Sequence, residues 1–278
     1  MTKMRLRNIL LSTTSLVAVA AAGAVQAADF SDQSVAFGSP SGLPAVSAPN
    51  GKLSAFGGSD DGSLYGVTGS YTIPLGLPYG FQLDGLVGSG KGAAFYGVGG
   101  HLFWRDPAKG LLGLYGSYVS WDLDQGGTNG ADVGKFGVEG EAYFGRVSLE
   151  GLAAYQFGTN TGFAGRATLA FYPTDNWRID GGVSYLEGPG AIGTIGTEWQ
   201  PHAGKGLSLW AKGSIGQDDY KQVLGGVRYY FGDPGKSLID RQRQDDPGPE
   251  LPSDLFTTGC PAGTHFDATD GCVINRPG

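Results

Sequence analysis

The sequence predicts an all-β fold, an antiparallel transmembrane β-barrel of about 12 strands, in a range of about 10–14. Three observations predict it. From about residue 51 to 232, segments of strand length alternate apolar and polar residues with a period of two. Aromatic residues gather at the ends of those segments rather than at their centres. The connections between segments fall into two compositional classes that alternate along the chain.

The elements follow in order. Lys3, Arg5 and Arg7 precede an apolar run from Ile9 to Ala24, and Val25-Gln26-Ala27 supplies small residues after it. This is the pattern of a secretory signal peptide, residues 1–27, cleaved between Ala27 and Ala28; the apolar core is short for a membrane anchor. Loss of its three positive charges takes the formal net charge from −7 to about −10. Such a chain offers no basic face to phosphates, which excludes nucleic acid as a partner. Residues 28–50, rich in Ser, Pro, Gly and Ala, read as a loose lead-in. The run from Leu111 to Trp121 is shorter than the about 20 residues that a helical span needs.

Between residues 51 and 232 the strand signal repeats. In "WRIDGGVSY", Trp177, Ile179, Gly181, Val183 and Tyr185 share one face, and Arg178, Asp180, Gly182 and Ser184 share the other. "RVSLEGLAAYQF" and "KQVLGGVRYYF" alternate in the same way. Segment centres fall near Ala55, Ser70, Gly85, Gly99, Gly116, Gly140, Gly151, Ala170, Gly182, Ile195, Trp210 and Gly226. Most segments run about 9–12 residues, enough for a tilted strand to cross a bilayer. The fifth, Leu112 to Trp121, is apolar on both faces, so alternation does not orient it.

One class of connection follows aromatics: "LGLPYG", "RDPAKG", "GR", "PTDN" and "PHAGKG". The other is polar and Gly-rich, as in "GSDDGS", "DQGGTNGADVG" and "GQDDYK". Two loop classes at opposite ends, one beside an aromatic belt, match a barrel in a bilayer, where ring systems prefer the interface. Trp104, Phe144, Phe171, Trp199, Tyr229 and Phe231 form that belt. With the apolar faces turned to lipid, the residues expected to line the lumen are Asp84, His101, Arg105, Lys135, Glu139, Glu141, Arg146, Glu150, Arg166, Arg178, Asp180, Glu198, Lys212 and Arg228. Their charges nearly balance.

The pattern resembles Gram-negative outer-membrane β-barrel proteins of the porin-like kind, over about residues 51–245. The last segment, "LGGVRYYFG", looks like the C-terminal β-signal by which such barrels are recognised for assembly. Gly226, Tyr229 and Phe231 match its glycine and two aromatic or hydrophobic positions, while Leu224 stands where a polar residue is usual. That signal normally ends the protein, and here residues 233–278 follow; "GKSLIDRQRQDDPG" looks like tails of alphaproteobacterial members. The resemblance implies outer-membrane lipid and the barrel-assembly machinery as partners, the latter through the last strand.

Candidate chemistry elsewhere is sparse. "GLVGSGKG" ends in Gly92 where a phosphate loop needs Ser or Thr, and reads as an external turn. No "GxSxG" or "HExxH" occurs, so no enzyme activity and no cofactor or metal is expected. Asp60-Asp61 and Asp218-Asp219 lack EF-hand spacing and read as solvated loop charge. In the tail, "KSLIDRQRQ" suggests a short helix and "PGPELPSD" a linker. Cys260 and Cys272 suggest a disulfide closing a small loop, worth about 3 kcal/mol, in a tail facing the periplasm. Two functions follow as expectations: a narrow, weakly selective channel for passive diffusion of small solutes, or a non-conducting structural or envelope-interaction protein. In the second, the tail would contact the cell wall or a periplasmic protein.

Overall fold

A computed structural model describes residues 42–60, 62–90, 93–122, 131–201, 205–217, 220–248, 264–267 and 271–274. Twelve strands close into one antiparallel barrel. The first six are β1 (Asn50–Ser59), β2 (Ser63–Pro74), β3 (Tyr79–Gly90), β4 (Ala93–Asp106), β5 (Gly110–Asp122) and β6 (Ala131–Phe144). The remaining six are β7 (Val147–Gly158), β8 (Gly162–Thr174), β9 (Trp177–Leu186), β10 (Gly190–Trp199), β11 (Leu207–Gly216) and β12 (Lys221–Phe231). Every segment centre read from the sequence falls inside its strand. Each strand pairs with its sequence neighbours, and β12 returns to β1 from Gly51↔Phe231 to Ser59↔Val223. Closure satisfies every strand's backbone groups within the sheet, the condition for placing a sheet in lipid.

Alternation decides which way each strand faces. Leu53, Val67, Leu83, Val98, Leu149, Leu169, Val183, Ile195, Ile215 and Val223 are exposed on the outer surface. Their sequence neighbours Ser54, Thr68, Gln82, Asp84, Ser148 and Gln222 are buried inside. Apolar outside and polar inside inverts the rule for a soluble protein and fits a barrel solvated by hydrocarbon. The predicted belt stands on the outer surface beside the end that carries residues 50 and 231, here called the terminal end. Phe144, Phe171, Trp199, Tyr229 and Phe231 are exposed there, and Trp104 is half-buried. A second girdle, which the sequence reading did not separate, lies toward the other end: Tyr65, Tyr96, Tyr155, Phe163 and Tyr185 are all exposed. Trp177 and Tyr185 on β9 sit one in each girdle. Eight residues of strand span about 27 Å at ~3.4 Å per residue, or roughly 20 Å of height at a tilt near 40°.

β5 acquires an orientation from its partners. Leu112 and Leu114 face outward, and Leu111, Tyr115, Val119 and Trp121 face inward. Its inward face is apolar apart from the buried Ser117, because three apolar clusters occupy the lumen wall. Val119 and Trp121 pack with Phe56, Leu64, Leu86, Phe95 and Leu224 near the far end. Tyr115 joins Leu152, Ala154, Ala164, Leu186 and Ile192. Leu111 packs with Phe103 and with Ala45 and Val46 of the lead-in, both completely buried.

The ladder shifts register once between β8 and β9, between Phe171 and Thr174. Pro173 lies in that gap and has no N–H to give to the ladder. Beyond β12 the chain does not simply leave. Ser237 caps a single helical turn, α1 (Leu238–Asp240), by accepting from the Asp240 N–H, and a π-helical turn (Arg241–Asp245) follows. In the tail, β13 (Thr264–Asp267) and β14 (Gly271–Ile274) form a hairpin. Cys260 lies outside the described residues, and so does the predicted disulfide with Cys272. The signal peptide and its Ala27–Ala28 junction, Asp61, Asp218-Asp219 and Gly92 also lie outside them.

Candidate functional site in the barrel lumen

The inward polar residues assemble into three networks. On the β2–β6 side, Thr72 Oγ1 donates to Gln82 Oε1 at 2.7 Å, and Gln82 Nε2 donates to Asp84 Oδ1 at 2.9 Å. His101 Nε2 lies 2.8 Å from Asp84 Oδ2, and its Nδ1 lies 2.9 Å from both Glu139 oxygens. The imidazole also packs on the Tyr115 ring, centroids 4.9 Å apart. Both ring nitrogens are engaged by carboxylates, so neither is left to activate a nucleophile.

On the adjoining wall, β7 to β9, Arg178 grips Glu150 with two parallel bonds, Nη1 to Oε1 at 2.7 Å and Nη2 to Oε2 at 3.1 Å. Its Nε donates to Asp180 Oδ2 at 3.0 Å. A planar fork meeting a carboxylate is the strong geometry for an ion pair. The third network centres on Glu198, which accepts from Arg228 Nη1 at 2.5 Å, Ser208 Oγ at 2.6 Å and Tyr230 OH at 2.8 Å. Between these walls lies a cavity of ≈ 130 Å³ faced by Glu141, Arg166, Asp180, Lys212, Arg228 and Trp210 among others. Trp210 is held by its own indole N–H, which donates to Ser54 Oγ at 2.9 Å.

The terminal mouth of the lumen is filled by the chain itself. Gln242 accepts from Tyr172 OH at 2.6 Å and Arg178 Nη1 at 3.2 Å, and donates to Glu198 Oε2 at 3.3 Å. It therefore bridges the second and third networks. Arg243 donates to the carbonyls of Gly145 and Val147 at 2.7 and 2.9 Å and stacks over the Tyr143 and Tyr172 rings. Asp246 pairs with Lys52 of β1, and Pro247 O accepts from Gln82 Nε2 at 3.3 Å. Burial pushes the Asp246 carboxyl up from the usual aspartate range, and attraction to Lys52 opposes that push. Lys236 Nζ bonds Asp245 Oδ2 at 2.6 Å and Ser47 Oγ at 2.9 Å, tying the segment to the lead-in.

Of the residues predicted to line the lumen, Asp84, His101 and Glu139 meet in one network, Glu150, Arg178 and Asp180 in another, and Glu198 and Arg228 in the third. Glu141, Arg166 and Lys212 face the cavity. Lys135 is buried inside on β6, and Arg105 is buried with its guanidinium 4.7 Å above the Phe103 ring. Arg146 is the correction. It sits in the two-residue turn between β6 and β7, exposed, and pairs with Asp175 of the next turn at 2.8 Å. Gly145 takes φ 55° there, and β7 begins at Val147, one residue later than the alternation from Arg146 suggested. The sequence reading missed Lys52, whose inward position is legible from Leu53 and Ala55 on the outer face. It also missed the buried tyrosines Tyr143 and Tyr172, which alternation places beside the outward Phe144 and Phe171; Tyr230 it read as inward, and Tyr230 is buried.

No protein-family model matches this chain, and no curated protein matches it. Solved structures do. The KdgM porin is 10% identical, over 65% of this chain and 99% of that one, with a TM-score of 0.52. The COG4313 outer membrane channel from Pseudomonas putida F1 is 13% identical, over 68% and 96%, with a TM-score of 0.48. The outer membrane phospholipase A from Escherichia coli is 12% identical, over 67% and 93%, with a TM-score of 0.46. At 10% identity the likeness to the KdgM porin is one of fold: a closed antiparallel barrel of the outer-membrane type.

Proposed function

We propose that this chain is a Gram-negative outer-membrane barrel that serves as a narrow, weakly selective channel for passive diffusion of small solutes. The outward apolar band between two aromatic girdles supports the membrane, and the start of β1 and the end of β12 at one end of the barrel support a tail facing the periplasm. The observation that carries the channel reading is the polar cavity inside the closed barrel, where four cations, Arg166, Arg178, Lys212 and Arg228, stand against four wall carboxylates, Glu141, Glu150, Asp180 and Glu198. A lumen so lined favours neither sign strongly and suits small hydrophilic solutes. The engagement of both His101 nitrogens by carboxylates supports a role without catalysis.

One observation favours a second reading. The far half of the lumen is narrowed by two apolar clusters, and apolar constrictions resist wetting. A non-conducting structural or envelope-interaction protein would have such a lumen. Folded protein in planar bilayers and solute flux into liposomes separate the two. Measurable conductance is the expected result, and folded protein that passes neither current nor solute sinks the channel reading.

A further inference from the structure

We propose that residues 237–248 are a gate, an autoinhibitory plug whose withdrawal opens the terminal mouth; the proposal rests on the channel reading above. The segment reaches the wall on many sides at once. Lys52 lies on β1, Gln82 on β3, Tyr143 on β6, Ser148 on β7, Tyr172 on β8, Arg178 on β9 and Glu198 on β10, and each contacts it. A single stretch of chain that touches all these strands spans the opening.

The chemistry of the contact is that of a reversible closure. Nearly every attachment is a hydrogen bond, an ion pair or a cation stacked on a tyrosine ring, and Leu238 and Pro247 are its two buried apolar residues. Polar contacts of this kind exchange with water at modest net cost, whereas apolar burial would hold the segment permanently. Withdrawal also leaves the wall largely satisfied. Arg178 keeps Glu150 and Asp180, and Arg228 keeps Glu198. Breaking a buried ion pair is costly because one charge is orphaned, and among the ion pairs of the described wall residues it is that of Lys52 with Asp246 that withdrawal breaks. The segment itself is a π-helical turn, a form seen in short pieces and often at functional positions.

The test uses the full chain with Cys260 and Cys272 replaced by serine and Asp245→Cys added. Asp245 is a buried residue of the docked segment itself, so a bulky thiol reagent reaches a cysteine there only when the segment leaves, and the adduct then prevents return. Folding is checked by the change of gel mobility on boiling. The expected result is slow labelling, faster in the added presence of Arg243→Ala and at high salt, with conductance rising several-fold as labelling proceeds. A disulfide between Ser47→Cys and Asp245→Cys, whose native side chains meet at 2.6 Å, should hold conductance at its floor until reduced. Complete labelling with an unchanged, measurable current overturns the gate and leaves the channel standing. A folded chain that never labels shows a permanent plug and also overturns it. Labelled, folded protein without any current overturns the channel reading itself.

Discussion

Glu198 receives four hydrogen bonds, from Arg228, Ser208, Tyr230 and Gln242, and so joins three strands of the wall to the mouth segment. Glu198→Ala leaves the buried Arg228 guanidinium without its counter-ion. The expected loss is about 3–5 kcal/mol of folded-state stability, read as a lowered urea midpoint. Glu198→Gln keeps an acceptor and should lose much less; equal losses for the two would show that the charge is immaterial. Gly226 gives a second case. A Cβ there would stand 2.3 Å from Ala55 O and 3.0 Å from the Trp210 ring. The glycine of the last strand is therefore room for the indole that bonds Ser54. Gly226→Val should cost about 1–3 kcal/mol or block folding, while Gly225→Val, with its nearest neighbour at 3.5 Å, should fold. Refolding yield into detergent micelles checks both; a normal yield for Gly226→Val would remove this role.

At the scale of the element, what was legible followed from one period. A strand that alternates announces which residues meet lipid, so twelve strands, the belt beside Trp199 and Phe231, and the inward Arg178 and Glu198 were readable without coordinates. β5 was not, because its inward face is apolar too, and only the packing of Leu111 on Ala45 and Val46 and of Val119 on Phe95 explains why. The mouth segment was not legible for a different reason. Ser47 and Asp245 are 198 positions apart, and a contact of that reach between irregular segments leaves no local pattern. The outward assignment of β5 has its own test. Leu114 faces out in the middle of the strand, 46% exposed. Leu114→Arg should cost about 2–4 kcal/mol if that face meets hydrocarbon. The measurement is folding equilibrium into lipid vesicles, and a cost near zero would place Leu114 against something other than lipid.

At the scale of the whole molecule, the lumen's charges decide what a current would consist of. Four basic and four acidic side chains of the wall share the cavity, and Asp246, which also faces it, is matched by Lys52. An ion entering would meet opposite charges within a few ångströms of one another, so the long-range field of either sign is largely cancelled. The expected reversal potential under a tenfold salt gradient is therefore a small fraction of the ideal value of about 59 mV for one charge. Selectivity should instead respond to single substitutions that unbalance the set. Lys212→Glu and Arg166→Glu each exchange one positive charge for a negative one beside the cavity, and each should move the reversal potential toward cations. The reverse substitution, Asp180→Lys, should move it toward anions. This sign pattern depends on where those side chains point. If conductance persists and none of the three changes moves the potential, ions do not pass this cavity, and the route lies elsewhere in the barrel.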